Sequence, residues 1–373
     1  MIADKDLALQ TVQINDSPGG EYANEARKWQ GIPSLERTRG GRLYAAFYSG
    51  GEDEGHDNYV VVVTSDDDGQ TWTEPCYVID PPDRVRAYDP CLWSDPLGRL
   101  WLFWSQSYNW FDGRCGVWAS ICDNADGDTP SWSEPRRIAN GIMMNKPTVL
   151  TTGEWLMPIA LWASIESELN YIRREMYSNV YISRDHGQTF ERLGKAMVPD
   201  RRFDEHMIVE RQDGSLWMLV RTYYGIGESV SNDRGKTWSP GRDSGIRGPD
   251  SRFYIRRLKS GRLLLVNHYH FEGFDGSSFS GRNNLTAMLS EDDGKTWIGG
   301  LLLDPRPNIS YPDGTETEDG LIYIIYDRER YKDKEILMAV ITEEDILQGK
   351  LVSPSSRLSV LVNQAQGVRT KVR

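Results

Sequence analysis

Short apolar runs punctuated by glycine turns dominate this chain, and extended stretches with helical spacing are nearly absent. Six times a Gly turn leads into an apolar strand: RGGRLYAAF at Gly41, PLGRLWLFW at Gly98, TTGEWLMPIAL at Gly153, QDGSLWMLV at Gly214, KSGRLLLV at Gly261 and EDGLIYIIY at Gly320. Each follows another short strand, in order PSLER, PCLWS, KPTVLT, EHMIVER, RFYIRRL and YPDGTET. Strand, Gly turn, strand is a hairpin, and it recurs every 47 to 61 residues.

A second repeat is independent of the first. SDDDGQTW from Ser65, SRDHGQTF from Ser183, SNDRGKTW from Ser231 and SEDDGKTW from Ser290 share the form S-x-D-x-G-x-T-aromatic, and CDNADGDTPSW from Cys122 is a stretched relative. Asp and Ser side chains bond nearby amides in a turn, Gly takes the positive-φ position, and the aromatic ring drops into an apolar layer. The carboxylates in each box are too few for a calcium loop. Where present, a box follows a third strand such as NYVVVVTS. Six copies of a small antiparallel sheet predict an all-β, six-bladed β-propeller of four-stranded blades. It is expected to span residues 1–373 as a single domain, with LALQTVQI near the N-terminus closing the ring by pairing with the last blade.

Composition fits this picture: 39% apolar and 11% aromatic residues supply a large core, with 35 Gly for turns and 13 Trp for packing. The formal charge of −12 disfavours nucleic acid and anionic membranes as partners. Cys76, Cys91, Cys115 and Cys122 lack metal-ligand spacing and read as buried thiols. The start MIADKDLALQTVQIND has no signal-peptide pattern, which gives a cytoplasmic expectation for the chain as it stands.

In a propeller the inner strands begin around the axis, so the residues just before them line one central pocket. These are Gln30-Gly31, Tyr88-Asp89, Asn145-Lys146, Asp204-Glu205-His206, Pro249-Asp250 and Ser310-Tyr311. A ring with a Lys, several carboxylates and a Tyr is a default ligand site.

The boxes on six blades resemble the sialidase (neuraminidase) superfamily over nearly the whole chain. That resemblance implies three arginines on a substrate carboxylate, a Tyr nucleophile assisted by a Glu, and an Asp as acid/base. DEHMIVERQDGSLWMLVR, residues 204 to 221, is similar to the family segment that carries the Glu and the second arginine, mapping them to Glu205 and Arg221. GRNNLTAMLSEDDGKTW places the third arginine at Arg282, and ISYPDGTETEDGLIYIIYDR places the nucleophile at Tyr311. Counting back from Ser65 puts the acid/base at Glu54, with Asp53 one step away and His56 a further candidate in SGGEDEGHDNYVVVVTS. Lys146, Asp89, His206 and Asp250 are expected to contact substrate, and Tyr108 and Trp110 to stack on a sugar face.

The resemblance breaks at one point. The family's first arginine sits in an Arg-Ile-Pro segment, which here reads Gly31-Ile32-Pro33. Loss of a bidentate, charge-assisted clamp is not a conservative change. Either another cation compensates, with Lys146, Arg84, Arg86, Arg247 and Arg252 near the rim, or the substrate differs, or the protein binds glycans without catalysis. The resemblance implies an exo-glycosidase on a terminal acidic sugar, with a glycan as partner and no metal or organic cofactor. The alternative is a propeller glycosidase or lyase for uronic acids that uses His206, His268 or His270.

Overall fold

The structure is a computed structural model that describes residues 4–108, 115–162, 175–269 and 281–370. Its strands form six four-stranded antiparallel sheets, and in each sheet consecutive strands are neighbours from the axis outward. The inner strands are Gln30–Arg37, Val85–Ser94, Thr148–Val149, Met207–Glu210, Tyr254–Arg257 and Ile309–Glu316, one for each of blades one to six. All six match the strand patterns that precede the Gly turns. The propeller and its blade composition are therefore as expected from the sequence.

Six apolar clusters fill the seams between blades. Trp101 and Phe103 of blade two meet Trp155 and Met157 of blade three, and Leu264 and Val266 of blade five meet Ile324 and Tyr326 of blade six. The closing seam sets Leu35 and Phe47 of blade one against Ile325 and Met338 of blade six. Both faces of each sheet are thus covered, which explains strands that are apolar on consecutive positions rather than alternating.

The turn boxes work as the spacing implies. In the first, Ser65 Oγ donates to Asp67 Oδ1 at 2.8 Å, while Gly69 N donates to Ser65 Oγ at 2.9 Å. Thr71 donates to Asp67 through its amide and its hydroxyl. These hydrogen bonds, led by the Thr71 hydroxyl, hold the Asp67 carboxyl down at about 2. Gly69 is needed twice over: its φ is +82°, and an added Cβ would stand 2.5 Å from Met338 of the adjacent blade.

Ring closure differs from the expectation. Asp4–Leu9, which takes in the first three residues of LALQTVQI, forms a 3-10 helix, and Asn15 pairs with Val78 on the outer strand of blade one. All four strands of blade six come from the C-terminal part of the chain, so no N-terminal strand is required there. The tail beyond blade six crosses back instead: Gln366 N donates to Asn24 O at 2.7 Å and Gly367 N to Arg27 O at 2.9 Å. No disulfide links the four cysteines.

Candidate active site

Non-glycine residues at the entries to inner strands hold a left-handed backbone, among them Ile32 (φ +57°), Asp89 (+50°), Asp204 (+53°), Glu205 (+43°) and Tyr311 (+56°). In blades one, two and six the strand register also shifts here, between Gly31 and Ser34, Tyr88 and Cys91, and Ser310 and Asp313. Such backbone costs about 1–3 kcal/mol per residue and persists only where the surroundings enforce it. A bulge re-aims side chains at the end of a strand. At the axis it collects chemistry from different blades.

Tyr311 from blade six donates its phenolic proton to Glu205 Oε1 of blade four at 2.7 Å. Arg221, at the end of the second strand of blade four, donates through Nη1 to the same Glu205 oxygen at 2.6 Å and to Tyr311 Oη at 2.7 Å. Its Nε is held by Asp250 Oδ1 at 2.6 Å. Arg282 donates to the Asp250 carbonyl at 2.8 Å, and its guanidinium lies 5.7 Å from the centre of the Tyr311 ring. Tyr311, Glu205, Arg221 and Arg282 are between 2% and 6% exposed. Glu205 Oε2 is buried with no hydrogen-bond partner among the described residues.

Burial raises the Tyr311 phenol far above its ordinary range, Arg221 only partly opposing this, so the group stays protonated through neutral pH. Burial and the neighbouring Arg221 charge lower Arg282 to about 10, still cationic at neutrality. Asp89 is raised to about 8, first by burial, with Arg86 opposing and Glu205 and Glu54 reinforcing. At pH 7 it is largely a neutral acid able to donate a hydrogen bond.

A further arginine, which the sequence reading did not single out, completes the cluster. Arg330 follows the second strand of blade six, and its guanidinium stacks 4.4 Å from the centre of the Tyr311 ring. Its Nε donates to Asp327 Oδ2 at 2.8 Å, Nη2 to Ser310 Oγ at 3.1 Å and Nη1 to Glu54 Oε1 at 3.2 Å. Burial opposes its charge, but Asp327 and Glu54 outweigh burial and raise the group.

The chain matches the profile of the BNR repeat-like domain over residues 41–324, most of its length. It belongs to the BNR repeat-like family. It is 26% identical over 261 residues to a sialidase from Paraclostridium sordellii, an alignment covering 58% of this chain and 61% of that protein. The Hadza microbial sialidase Hz136 superposes with a TM-score of 0.66 at 19% identity, over 87% of this chain and 67% of the other. The intramolecular trans-sialidase from Ruminococcus gnavus, solved with oseltamivir carboxylate, gives 0.62 at 16% identity, over 91% and 98%. These structures establish the sialidase-type propeller fold.

Several rim residues of this family member do not join the Tyr311 cluster. Lys146 was expected at substrate, but it is buried among the Leu35 carbonyl at 2.7 Å, Glu36 at 3.2 Å and Asp313 at 3.3 Å. With a further bond to the Leu92 carbonyl it ties blades one, two and six to its own blade three. Arg252 does similar work, donating to Asn145 Oδ1 at 2.7 Å. Asp250 sits within the cluster, and its carboxylate is shared between Arg221 (2.6 Å) and Arg202 (2.7 Å).

His206 and His268 are both buried, each ring bonded to a backbone carbonyl, Asn179 and Asn283 respectively. Burial lowers each to about 4, so both are neutral at pH 7. Arg86 stacks on Tyr88 at 4.1 Å, and Arg247 pairs with Asp243. Arg84 is exposed. On the acidic loop, Glu54 reaches the cluster through Arg330, whereas Asp53 lies 3.8 Å from Arg369, and His56 and Asp57 face solvent beside each other. Tyr108 is half-buried at its strand end, and Trp110 and His270 lie outside the described residues.

Proposed function

We propose that this protein is an exo-glycosidase removing a terminal acidic sugar, sialic acid or a relative, from glycans with retention of anomeric configuration. The observation that carries the reading is the 2.7 Å hydrogen bond from Tyr311 to Glu205, inside a shell of arginines. A protonated phenol is a weak nucleophile, and a carboxylate in hydrogen-bond contact can take its proton as the bond to carbon forms. The neutral nucleophile also suits an anomeric carbon that carries its own carboxylate, because an anionic attacker would be repelled. The relatives named as sialidases support the same class of substrate.

In the first step Tyr311 oxygen bonds to the anomeric carbon and passes its proton to Glu205, while the bond to the leaving oxygen breaks. Glu54 gives that oxygen a proton. In the second step water attacks the same carbon and gives its proton to Glu54, and Tyr311 leaves, recovering its proton from Glu205. Arg221 and Arg282 hold the sugar carboxylate, and Asp89, neutral, donates to a sugar hydroxyl.

The test is hydrolysis of a 4-nitrophenyl sialoside, with the first-formed anomer read by NMR. Retention, with turnover abolished in Tyr311→Phe, is expected. Unchanged turnover in that variant removes Tyr311 as nucleophile, and no turnover of any acidic aryl glycoside by the unaltered protein removes the glycosidase reading.

A further inference from the structure

We propose that Arg330 is the third carboxylate-binding arginine of this pocket, supplied from blade six into space that Gly31 leaves empty in blade one. The proposal rests on the acidic-sugar reading above.

The two positions compete for one volume. A Cβ built on Gly31 would stand 2.7 Å from Arg330 Cδ and 2.8 Å from its Nε, so a side chain of any size at 31 displaces this arginine. The backbone does not demand glycine there, since the φ of Gly31 lies outside the left-handed region, unlike that of its neighbour Ile32. The missing side chain is therefore a matter of room. What fills the room is the Cγ–Nε stretch of an arginine side chain, whose guanidinium is the chemical group whose absence at 31 puts the substrate in question.

Arg330 is also built in as a ligand-holding arginine should be. Asp327 fixes its Nε, and Asp327 is itself gripped by the Ile32 amide at 2.8 Å and by Ser310 Oγ, which donates to the other oxygen at 2.7 Å. Blades one and six thus clamp one edge of the guanidinium. The Nη1 contact with Glu54 is longer, at 3.2 Å, and Glu54 is carried on a partly exposed loop. An incoming carboxylate can take that place and use the fork of Arg330. The guanidinia of Arg221, Arg282 and Arg330 lie 6.0, 5.7 and 4.4 Å from the Tyr311 ring centre, a cationic shell around the proposed nucleophile.

The experiment measures binding of oseltamivir carboxylate and of its neutral ethyl ester by calorimetry, in the unaltered protein and in Arg330→Gln. The expected result is preference for the carboxylate form in the unaltered protein and a loss of about 30-fold or more of its affinity in the variant, with the ester little affected. A purely structural role for Arg330 would weaken both ligands alike. Full retention of the preference in Arg330→Gln overturns this proposal and leaves the acidic-sugar reading standing. Absence of any preference in the unaltered protein overturns both. Should Arg330→Gln fail to fold, Gly31→Ala tests the shared volume: it is expected to weaken the carboxylate form selectively, and no effect counts against the proposal. Gly31→Arg combined with Arg330→Gly is expected to regain preference relative to Arg330→Gly alone.

Discussion

Tyr311 and Glu205 are 106 positions apart in the chain and meet at 2.7 Å between Oη and Oε1, with Arg221 bonded to both. A phenol held protonated by burial depends on that carboxylate for its reactivity. Glu205→Gln keeps the shape and removes the proton acceptor. It is expected to lower kcat on an aryl sialoside by roughly 10²- to 10⁴-fold with little change in KM. Steady-state kinetics checks this, and an equal fall in Glu205→Gln and in a distant surface variant would argue against the role.

Glu54 and Asp53 are adjacent in sequence but face different partners, Arg330 and Arg369. General-acid help matters most when the leaving group is a poor one. Glu54→Gln should therefore slow a natural sialyl oligosaccharide by about 10²-fold or more and a nitrophenyl sialoside much less. Asp53→Asn should alter neither by a comparable factor. The reverse pattern would assign the acid to Asp53.

Lys146 bonds to blades one, two and six from its own place in blade three. Removing the ammonium leaves the buried Glu36 without its cation and leaves Asp313 with Arg252 at 3.4 Å. Lys146→Met is expected to cost about 3–5 kcal/mol of stability, measured by urea unfolding at pH 7. KM of the folded fraction should not change, which separates this role from substrate binding.

The two buried histidines predict an acid-side loss of stability. Each is lowered from about 6.5 to about 4 by burial, so the unfolded chain binds more protons than the folded one between those values. Their contribution is complete above pH 6.5 and is lost as pH falls towards 4, on the order of 3 kcal/mol for each fully buried ring. Unfolding free energies at pH 7 and pH 4.5 should differ less in His268→Asn than in the unaltered protein. An identical pH dependence in the two would remove His268 as a contributor.

The fold was legible because each blade repeats its own local chemistry: a Gly turn for the hairpin, and Ser, Asp, Gly and Thr for the outer turn. Tyr311, Glu205, Arg221 and Arg282 were readable because the segments that carry them resemble those of the sialidase family. Lys146 and Asp250 stand at equivalent strand entries, but the entry does not say where a side chain points. At Glu205 and Tyr311 a left-handed backbone re-aims the strand, and neither Lys146 nor Asp250 has that conformation. Arg330 lay hidden in DRERYKDK, which reads as a solvated charge run. The available signal was Asp327 three residues earlier, at the end of an apolar strand, together with a glycine on another blade. The N-terminal segment misled because apolar residues alone do not distinguish a short helix from an edge strand.

The shared volume of Gly31 and Arg330 also limits how such a pocket can change over time. An arginine at either position is sterically compatible with the other only when the other is small. A lineage moving the charge between blades one and six by single substitutions meets either a pocket short of one cation or two guanidinia forced into the space of one. The two sites are then epistatic: each reciprocal change is harmful alone and acceptable together. A search keyed to an arginine before Ile-Pro would pass over such a chain, although a guanidinium reaches the same region from the turn after the second strand of blade six.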